Sequence, residues 1–350
     1  MSADEAYRLG RRGTGILWRG DYQNGRHLLD AMARRADRKP APRRGKNAKA
    51  AAPLLAFNAH RKSQGERARV LGMLLLPFEP GHVLPLRRAP NVTEACGEAY
   101  GFCAEPYVAS MRELLGIIGA HEWRRKGVEL PVLGARIHPY YGVFAPIRNE
   151  YIDLVARAPF VHNVPASAFD IGTGTGVLAA VLAQRGVSRI IATDNDPRAI
   201  DCARDNIGRL GLLDRVELVH GEFFPPGRAP LIVCNPPWIP AQPAASIERA
   251  IFDPDSRMLK GFLERLAIHL EPEGEGWLIL SDFAERLGLR TRDALLEWIQ
   301  GAGLRVVDRL DTHPRHPKAG DPADPLHAVR SAEITSLWRL AVHDSQENPP

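Results

Sequence analysis

The fold of this chain is decided by residues 169–176, Phe169-Asp170-Ile171-Gly172-Thr173-Gly174-Thr175-Gly176. A short run with strand character precedes this stretch, and an apolar run with helical character follows it over residues 177–184. Glycine has no Cβ, so three alternating glycines let backbone N–H groups approach a ligand closely at the positive end of a helix. The stretch therefore predicts a strand, a ligand-binding turn and a helix.

The glycine spacing excludes the dinucleotide fingerprint Gly-x-Gly-x-x-Gly, because Val177 holds the position of the third glycine. The stretch instead resembles the acidic-x-Gly-x-Gly-x-Gly loop of class I S-adenosylmethionine (SAM)-dependent methyltransferases. This resemblance implies that SAM is the cofactor. It also implies that the loop contacts SAM through Asp170, Gly172, Thr173, Gly174 and Gly176.

Strand and helix patterns alternate regularly after the loop. Further strands are predicted over residues 189–193, 216–220, 231–234, 276–281, 304–310 and 334–341, and helices over 197–210, 257–270 and 291–300. This order matches the class I methyltransferase sheet. We therefore predict an α/β fold with a seven-stranded Rossmann-like sheet, mostly parallel with an antiparallel last strand.

Acidic residues after the second and third strands are candidate cofactor ligands. A carboxylate at Asp194 can accept both ribose hydroxyls of a nucleoside, although Asn195 or Asp196 would serve equally well as a helix cap. In the enzymes that the loop resembles, the acidic residue at this strand end binds the ribose, so we expect Asp194 and its neighbour Asn195 to contact SAM. Glu222 stands where those enzymes often have an Asp that contacts the adenine amino group, and Phe223 is expected to pack on the adenine.

The fourth strand ends in Asn235-Pro236-Pro237-Trp238, which resembles the signature of methyltransferases that act on amino or amide nitrogen. The lone pair of a planar nitrogen is delocalised, so the nitrogen is a poor nucleophile. The carbonyls of Asn235 and Pro236 can accept its hydrogens and localise the lone pair, while Trp238 stacks on the planar target. These four residues are the predicted catalytic residues; two prolines that merely end a strand would need neither Asn nor Trp.

An aromatic cluster lies before the glycine loop, in the stretch 140–148 with the sequence Tyr-Tyr-Gly-Val-Phe-Ala-Pro-Ile-Arg. It resembles the corresponding element of two methyltransferase groups, those that act on glutamine N5 and those that act on ribosomal RNA guanine. Tyr141, Phe144 and Arg148 are therefore candidate substrate contacts. The alternative is a β-turn that leads into a core helix.

Composition bounds the class of protein. An apolar content of 45% in 350 residues is typical of a soluble globular protein with room for two domains. There is no secretory signal pattern and no apolar run long enough to span a bilayer, so we expect no membrane association. The four cysteines are scattered without disulfide-like or metal-like spacing, which favours the reduced cytoplasm.

The predicted domains are a mainly helical N-terminal domain over residues 1–135, a methyltransferase domain over 136–343 and a tail over 344–350. Helices are expected over 57–75 and 106–120. The net charge of +5 is uneven, because residues 34–69 carry twelve Lys or Arg against two acidic residues, for a local charge of +10. Residues 36–53 are predicted to form a mobile loop that either binds a polyanion or is merely solvated. The N-terminal domain is a candidate substrate-recognition domain.

Two further patterns are given structural interpretations. His313, His316 and His327 lie in a Pro-rich loop without nearby cysteines or paired carboxylates, so no metal is predicted. Asp253 and Asp255 are expected to cap the following helix in preference to lining a substrate pocket.

The resulting functional prediction is a SAM-dependent N-methyltransferase that acts on a macromolecule of the translation apparatus, either a protein glutamine or an RNA base. A small heteroaromatic metabolite is the alternative acceptor. A catalytically silent SAM-fold module that binds RNA or protein is the alternative from another functional class.

Overall fold

The computed structural model describes residues 1–38, 53–243, 248, 250–315 and 320–343. It contains two compact units, Met1–Arg125 and Lys126–Pro350. The division lies ten residues before the predicted boundary at 135/136, because the hairpin of β4 (Val128–Leu130) and β5 (Ala135–Ile137) belongs to the second unit. Most of the predicted basic loop, residues 39–52, and the tail 344–350 lie outside the described residues.

The first unit combines helices with a small three-stranded sheet. The strands are ordered β1-β2-β3, with β1 parallel and β3 antiparallel to the central β2. Side-chain caps start the first two helices, where Ser2 accepts from the Glu5 amide and Asp21 from the Gln23 and Asn24 amides. The elements are α1 (Ala3–Arg11), β1 (Ile16–Leu17), α2 (Tyr22–Ala36), α3 (Pro53–Leu71), β2 (Leu74–Phe78), α4 (Thr93–Tyr100), β3 (Tyr107–Ser110) and α5 (Met111–Lys126).

Both predicted helices of this unit have one wrong end. The helix expected over 57–75 ends at Leu71, and the last two predicted residues belong to β2. Residues 107–110, placed in a helix over 106–120, form strand β3, and the helix begins only at Met111. The strand exists because β2 pairs with it from thirty residues away, as in the register Leu76 to Ala109, and a local helical pattern does not report such pairing.

The second unit is built on the predicted seven-stranded sheet, and the fold prediction is confirmed. The strand order is β11-β12-β10-β9-β6-β7-β8, and β12 alone runs antiparallel to its neighbours. The strands are β6 (Ser167–Ile171), β7 (Arg189–Asp194), β8 (Val216–His220), β9 (Ala229–Cys234), β10 (Leu270–Ser281), β11 (Leu304–Thr312) and β12 (Thr335–Val342). The helices are α6 (Glu150–Arg157), α7 (Val177–Gln184), α8 (Pro197–Arg209), α9 (Arg257–His269), α10 (Phe283–Arg286), α11 (Arg292–Gly301) and α12 (His327–Ser331).

Helices cover both faces of this sheet. Alternate residues of β9 enter different apolar clusters: Leu231 and Val233 pack with α6 and α7, and Ile232 and Cys234 pack with α9 and α11. A parallel strand buried on both faces is nearly continuously apolar, which is why β6, β9 and β10 were recognisable in the sequence.

The strand order reverses between β6 and β9. The chain moves outward from β6 through β7 to β8, returns to the other side of β6 at β9, and continues to β10. At such a switch point the connections leave in opposite directions and open a crevice at the carboxyl ends of the strands. This crevice locates the candidate site.

No helix among the described residues is long and apolar enough to cross a membrane.

Candidate active site at the carboxyl edge of the sheet

The glycine loop follows β6 with all three glycines in the left-handed region. The φ angles of Gly172, Gly174 and Gly176 are 72°, 56° and 80°. A Cβ on Gly176 would lie 3.3 Å from Ala203 in α8, so this glycine permits close helix packing. A Cβ on Gly174 would meet nothing within 4 Å, so the backbone there borders open space. Gly174 is therefore the glycine whose backbone a ligand can approach.

The loop is fixed from both sides. The amides of Gly172 and Thr173 each donate to the carbonyl of Thr193, at 2.9 Å. Asp170 Oδ2 accepts hydrogen bonds from Thr173 Oγ1 at 2.7 Å and from the Ala179 amide at 3.1 Å. Thr173, which is buried, thus supports the loop through Asp170.

Asp170 keeps one oxygen without a partner. The residue is 1% exposed, and no described residue donates a hydrogen bond to its buried Oδ1. Burial, with a smaller contribution from the charge of Asp194, raises the pKa of Asp170 to about 6 despite the two bonds to Oδ2. A buried carboxylate oxygen without a donor and the open backbone at Gly174 together suit a ligand that carries cationic or N–H groups, as SAM does.

Asp194 lies at the end of β7 and is brought against the glycine loop. Its Oδ2 accepts from the Gly174 amide at 2.9 Å and its Oδ1 from the Asp196 amide at 3.0 Å. Each oxygen retains a second lone pair, so the carboxylate can still accept hydroxyl groups. Asp196 caps α8 by accepting from the Arg198 amide, which leaves Asp194 free of that alternative role. Asn195 is exposed beside them.

Glu222 and Phe223 lie beyond β8, next to α9. Glu222 is exposed and bonded to Arg257 at 2.7 Å. Phe223 has a φ of 62°, and its ring covers Gly261, where an added Cβ would lie 2.5 Å from Cζ. The Arg265 guanidinium lies 4.8 Å from the centre of the same ring. The two residues border a cleft of about 580 Å³ that is also lined by Pro254, Asp255, Arg257, Lys260, Gly261, Glu264 and Arg265.

The Asn-Pro-Pro-Trp segment leaves β9 directly beside the glycine loop. In the sheet register Ile171 pairs with Cys234, so Gly172 and Asn235 emerge at the same level from neighbouring strands. Trp238 Nε1 donates to Asn235 Oδ1 at 2.8 Å. This bond fixes the orientation of the carboxamide and leaves Oδ1 one further lone pair. Pro236 is buried, whereas Pro237 and Trp238 are half-buried.

Arg148 lies against this segment and is held by two buried glutamates. Its Nε donates to Glu150 at 2.9 Å and its Nη2 to Glu333 at 3.0 Å, and each glutamate is 1% exposed. Its guanidinium lies 5.1 Å from the centre of the Trp238 ring. The structure therefore connects Arg148 to Asn235 through Trp238. The candidate substrate role of Arg148 stays a prediction, and the observed contacts are those of a support for Trp238.

The other two residues of the aromatic cluster take separate positions. Phe144 is partly buried and packs against the main apolar cluster of the second unit. The Tyr141 carbonyl accepts from Arg198 Nη1 at 3.1 Å. These contacts describe packing, and a substrate role for either residue stays a prediction.

Two partners of the site were missed in the sequence. Glu333 lies 185 positions from Arg148 and also accepts from Ser281 Oγ at 2.5 Å. Its Oε2 is buried without a hydrogen bond. Neither Glu150 nor Glu333 belongs to a recognisable motif, so nothing local could have identified them.

Of the two acidic residues predicted to cap α9, one does so, whereas Asp255 lines the cleft beside Glu222 and Phe223. Asp253 accepts from the Met258 and Leu259 amides at 2.9 and 3.1 Å and so caps α9, as predicted. In the part of the chain that the structure describes, no three His, Cys, Asp or Glu side chains form a metal-binding group; His316 lies outside that part.

The family model and the curated relatives that match part of this chain are described as methyltransferases. The family model described as ribosomal protein L11 methyltransferase (PrmA) matches residues 159–249. A release factor glutamine methyltransferase of Caulobacter vibrioides is 31% identical over 181 residues, which is 49% of this chain and 62% of that protein. A tRNA1(Val) (adenine(37)-N6)-methyltransferase of Vibrio parahaemolyticus is 42% identical over 78 residues, 21% of this chain and 33% of that protein. The chain spans less than two thirds of the length of these relatives.

Solved structures match between half and two thirds of this chain at lower sequence identity. The ribosomal protein L11 methylase of Lactobacillus delbrueckii subsp. bulgaricus has a TM-score of 0.38 at 15% identity, covering 55% of this chain and 77% of that one. Trm5b of Pyrococcus abyssi has a TM-score of 0.41 at 17% identity, covering 60% of this chain and 54% of that one.

Proposed function

We propose that this chain, whose second unit is a class I SAM-dependent methyltransferase domain, methylates an amide or amino nitrogen. The observation that carries the proposal is the register of β6 and β9. It places the glycine loop and Asn235 at the same level of adjacent strands, with Asn235 Oδ1 oriented by Trp238. A donor held at the loop and a planar nitrogen held at Asn235 would then be neighbours.

Donor binding is assigned to the glycine loop and the acidic strand ends. The open backbone at Gly174, the free Oδ1 of Asp170 and the unused lone pairs of Asp194 are the groups that would hold SAM. When bound, SAM supplies an electrophilic methyl group. The Phe223 carbonyl accepts from Thr193 Oγ1 at 2.6 Å, one residue before Asp194, and this proximity supports the proposed role of Glu222 and Phe223 at the adenine.

Asn235 is assigned to orient the acceptor nitrogen. Its Oδ1 already accepts one hydrogen bond from Trp238, and the second lone pair can accept one N–H of an amide or amine. The Pro236 carbonyl would accept the other N–H, which localises the nitrogen lone pair. Orientation of this kind can supply roughly 7–11 kcal/mol of a barrier, and no strong base is needed because the proton becomes acidic only after methylation.

The acceptor that we propose is a macromolecule of the translation apparatus. The relatives named above act on release factors, ribosomal protein L11 or tRNA, and the +10 segment over residues 34–69 suits a polyanionic environment. All four cysteines lie in the described part of the chain and none forms a disulfide there, which is compatible with a cytoplasmic location.

The experiment is methyl transfer from radiolabelled SAM to cell extract, with Asn235→Ala protein as the control. The expected result is label in a macromolecular fraction with the wild-type chain only. Loss of that label to nuclease identifies RNA, and loss to protease identifies protein. If wild-type protein that binds SAM labels no more than Asn235→Ala does, the catalytic proposal is wrong and the silent-module alternative replaces it.

A further inference from the structure

Arg290 is a buried arginine whose hydrogen-bond donors are unused. It lies between α10 and α11, just before Thr291, which caps α11. The residue is 6% exposed, and its Nε and Nη2 are buried with no hydrogen-bond partner among the described residues. Leaving buried charged donors unpaired is costly, so their retention calls for a partner that arrives with a ligand.

Another buried arginine of the same unit shows the ordinary arrangement. Arg339 is 8% exposed, and its Nε and Nη2 donate to the two carboxylate oxygens of Glu275, both at 2.9 Å. The same two nitrogens are the free ones in Arg290. The fork of donors that Arg339 uses to bind a carboxylate is therefore intact and unfilled in Arg290.

The carboxylates around Arg290 balance its charge without filling this fork. Asp253 and Glu285 are the acidic groups whose charges act on it. The Asp253 oxygens accept from the Met258 and Leu259 amides and Glu285 Oε2 accepts from Arg292 Nε at 2.8 Å, and among the described residues neither carboxylate accepts from Nε or Nη2 of Arg290. Burial lowers the pKa of Arg290, but a guanidinium remains protonated in a protein. The positive end of α11 adds to the potential at this position.

The position of Arg290 indicates which molecule would fill it. Arg290 follows β10, which neighbours β9 on the side away from β6, whereas Asp194 ends β7 on the far side of β6. The Asp253 amide donates to the carbonyl of Ile239, the residue after Trp238, at 2.8 Å. Arg290 therefore belongs to the acceptor side of Asn235 and not to the nucleoside side.

We propose that Arg290 binds an oxyanion of the methyl acceptor, a phosphate or a carboxylate, through its Nε and Nη2. The assignment of the oxyanion to the acceptor rests on the proposed function. The presence of an oxyanion site at Arg290 does not, and the two are tested separately.

The site itself is tested by thermal unfolding of the full chain in sodium phosphate against sodium chloride of equal ionic strength. Phosphate is expected to raise the Tm of the wild type more than that of Arg290→Gln. The matched control, Arg112→Gln, removes an exposed arginine and is expected to keep the full phosphate effect. In chloride, Arg290→Gln is expected to be at least as stable as the wild type, because it removes uncompensated buried donors.

An equal phosphate effect in wild type and Arg290→Gln would overturn the site. Loss of stability of Arg290→Gln in chloride would also overturn it, since a structural arginine behaves that way. The side-chain ¹⁵N resonance of Arg290, assigned by its loss in Arg290→Lys, gives an independent readout. It is expected to move with phosphate or acetate and not with chloride.

The source of the oxyanion is tested with the donor and the labelled acceptor. Arg290→Gln is expected to keep the SAM affinity measured by calorimetry and to raise the acceptor KM by about 10- to 100-fold, as for loss of a charged hydrogen bond. If Arg290→Gln binds SAM more weakly than the wild type but binds decarboxylated SAM equally well, Arg290 binds the carboxylate of SAM. That result would overturn the assignment to the acceptor. If no acceptor is methylated at all, the proposed function fails while the phosphate result still decides the site.

Discussion

At the scale of single residues, the bond between Trp238 and Asn235 is the contact on which the proposed catalysis depends most. Trp238 donates its indole N–H to the same carboxamide oxygen that would accept the substrate N–H, and the Arg148 guanidinium lies 5.1 Å from the centre of the ring. The indole therefore gives this chain a direct means of orienting Asn235.

Trp238→Phe tests that role, because it retains a flat ring and removes only the donor. The kcat is expected to fall about 3- to 10-fold, the worth of one net hydrogen bond, with SAM affinity unchanged. Trp123→Phe, a change at a 49% exposed indole of the first unit, is the control. Steady-state kinetics with the labelled acceptor checks the result, and an unchanged kcat would remove the orienting role.

The raised pKa of Asp170 predicts a specific dependence of the free energy of unfolding on pH. Burial raises its pKa from 3.8 to about 6, so the folded chain binds the proton more tightly than the unfolded chain. Stability from this residue is therefore fully present below pH 4 and falls as the pH rises to about 6, by roughly 3 kcal/mol.

Asp170→Asn removes this titration, so the Tm of the variant relative to the wild type is expected to rise between pH 4 and pH 6 in the absence of SAM. Thermal melts across that range measure it. A difference in Tm that stays constant with pH would show that Asp170 does not titrate there.

At the scale of elements, α9 packs against Phe223, the residue proposed to contact the adenine. Gly261 in this helix has no side chain, and the Phe223 ring occupies that space. Glycine inside a helix is unfavourable by about 1 kcal/mol relative to alanine, so its presence here is explained by the ring above it.

Gly261→Ala is expected to displace Phe223 and weaken SAM binding by about 3- to 10-fold, the range of an aromatic contact, without a gain in stability. Gly116→Ala in α5, where an added Cβ meets nothing within 4 Å, is the matched control. It is expected to stabilise the chain by about 1 kcal/mol and leave SAM binding unchanged. Calorimetry measures the SAM affinity of both variants and thermal melts measure their stability. Equal SAM affinity and equal stability in the two variants would exclude a contact between Phe223 and SAM.

Elements with local signals were predictable from the sequence, and those fixed by distant contacts were not. The predicted strand over 216–220 matches β8 because the apolar residues Val216, Leu218 and Val219 give it a local strand signal, although β8 is an edge strand in which only Val216 is buried. β10 begins at Leu270, six residues before the prediction, because its first part is polar and contains a register shift next to β9. The glycine loop and the Asn-Pro-Pro-Trp segment were visible as motifs. The support of Arg148 by Glu150 and Glu333 was not, since it joins residues that share no sequence pattern.

At the scale of the whole molecule, charge is concentrated in one part of the chain. The +10 segment over residues 34–69 is balanced by a net charge of −5 elsewhere. Part of that segment lies in α2 and α3 of the first unit, and residues 39–52 are outside the described structure. A localised positive charge of this size attracts polyanions, and the affinity for a polyanion falls measurably as the salt concentration rises.

Neutralising Arg43, Arg44, Lys46 and Lys49 together tests whether the acceptor is held by RNA contacts. The acceptor KM is expected to rise, and its logarithmic salt dependence to flatten by about 0.7–0.9 for each lost phosphate contact. SAM affinity is expected to stay the same. If KM and salt dependence both match the wild type, these four residues do not contact the acceptor and the small-molecule acceptor becomes the better proposal.

The central claim, that Asn235 acts on the acceptor nitrogen and not on the donor, is tested most directly by one pair of measurements on Asn235→Ala. Calorimetry is expected to give a SAM dissociation constant equal to that of the wild type, because the groups proposed to bind SAM lie on the glycine loop and at Asp194. Single-turnover methyl transfer is expected to fall by at least about 100-fold, as when a group that acts in the transition state is removed. Wild-type turnover in this variant, or a loss of SAM binding that accounts for the whole decrease, would contradict N-methylation at this site.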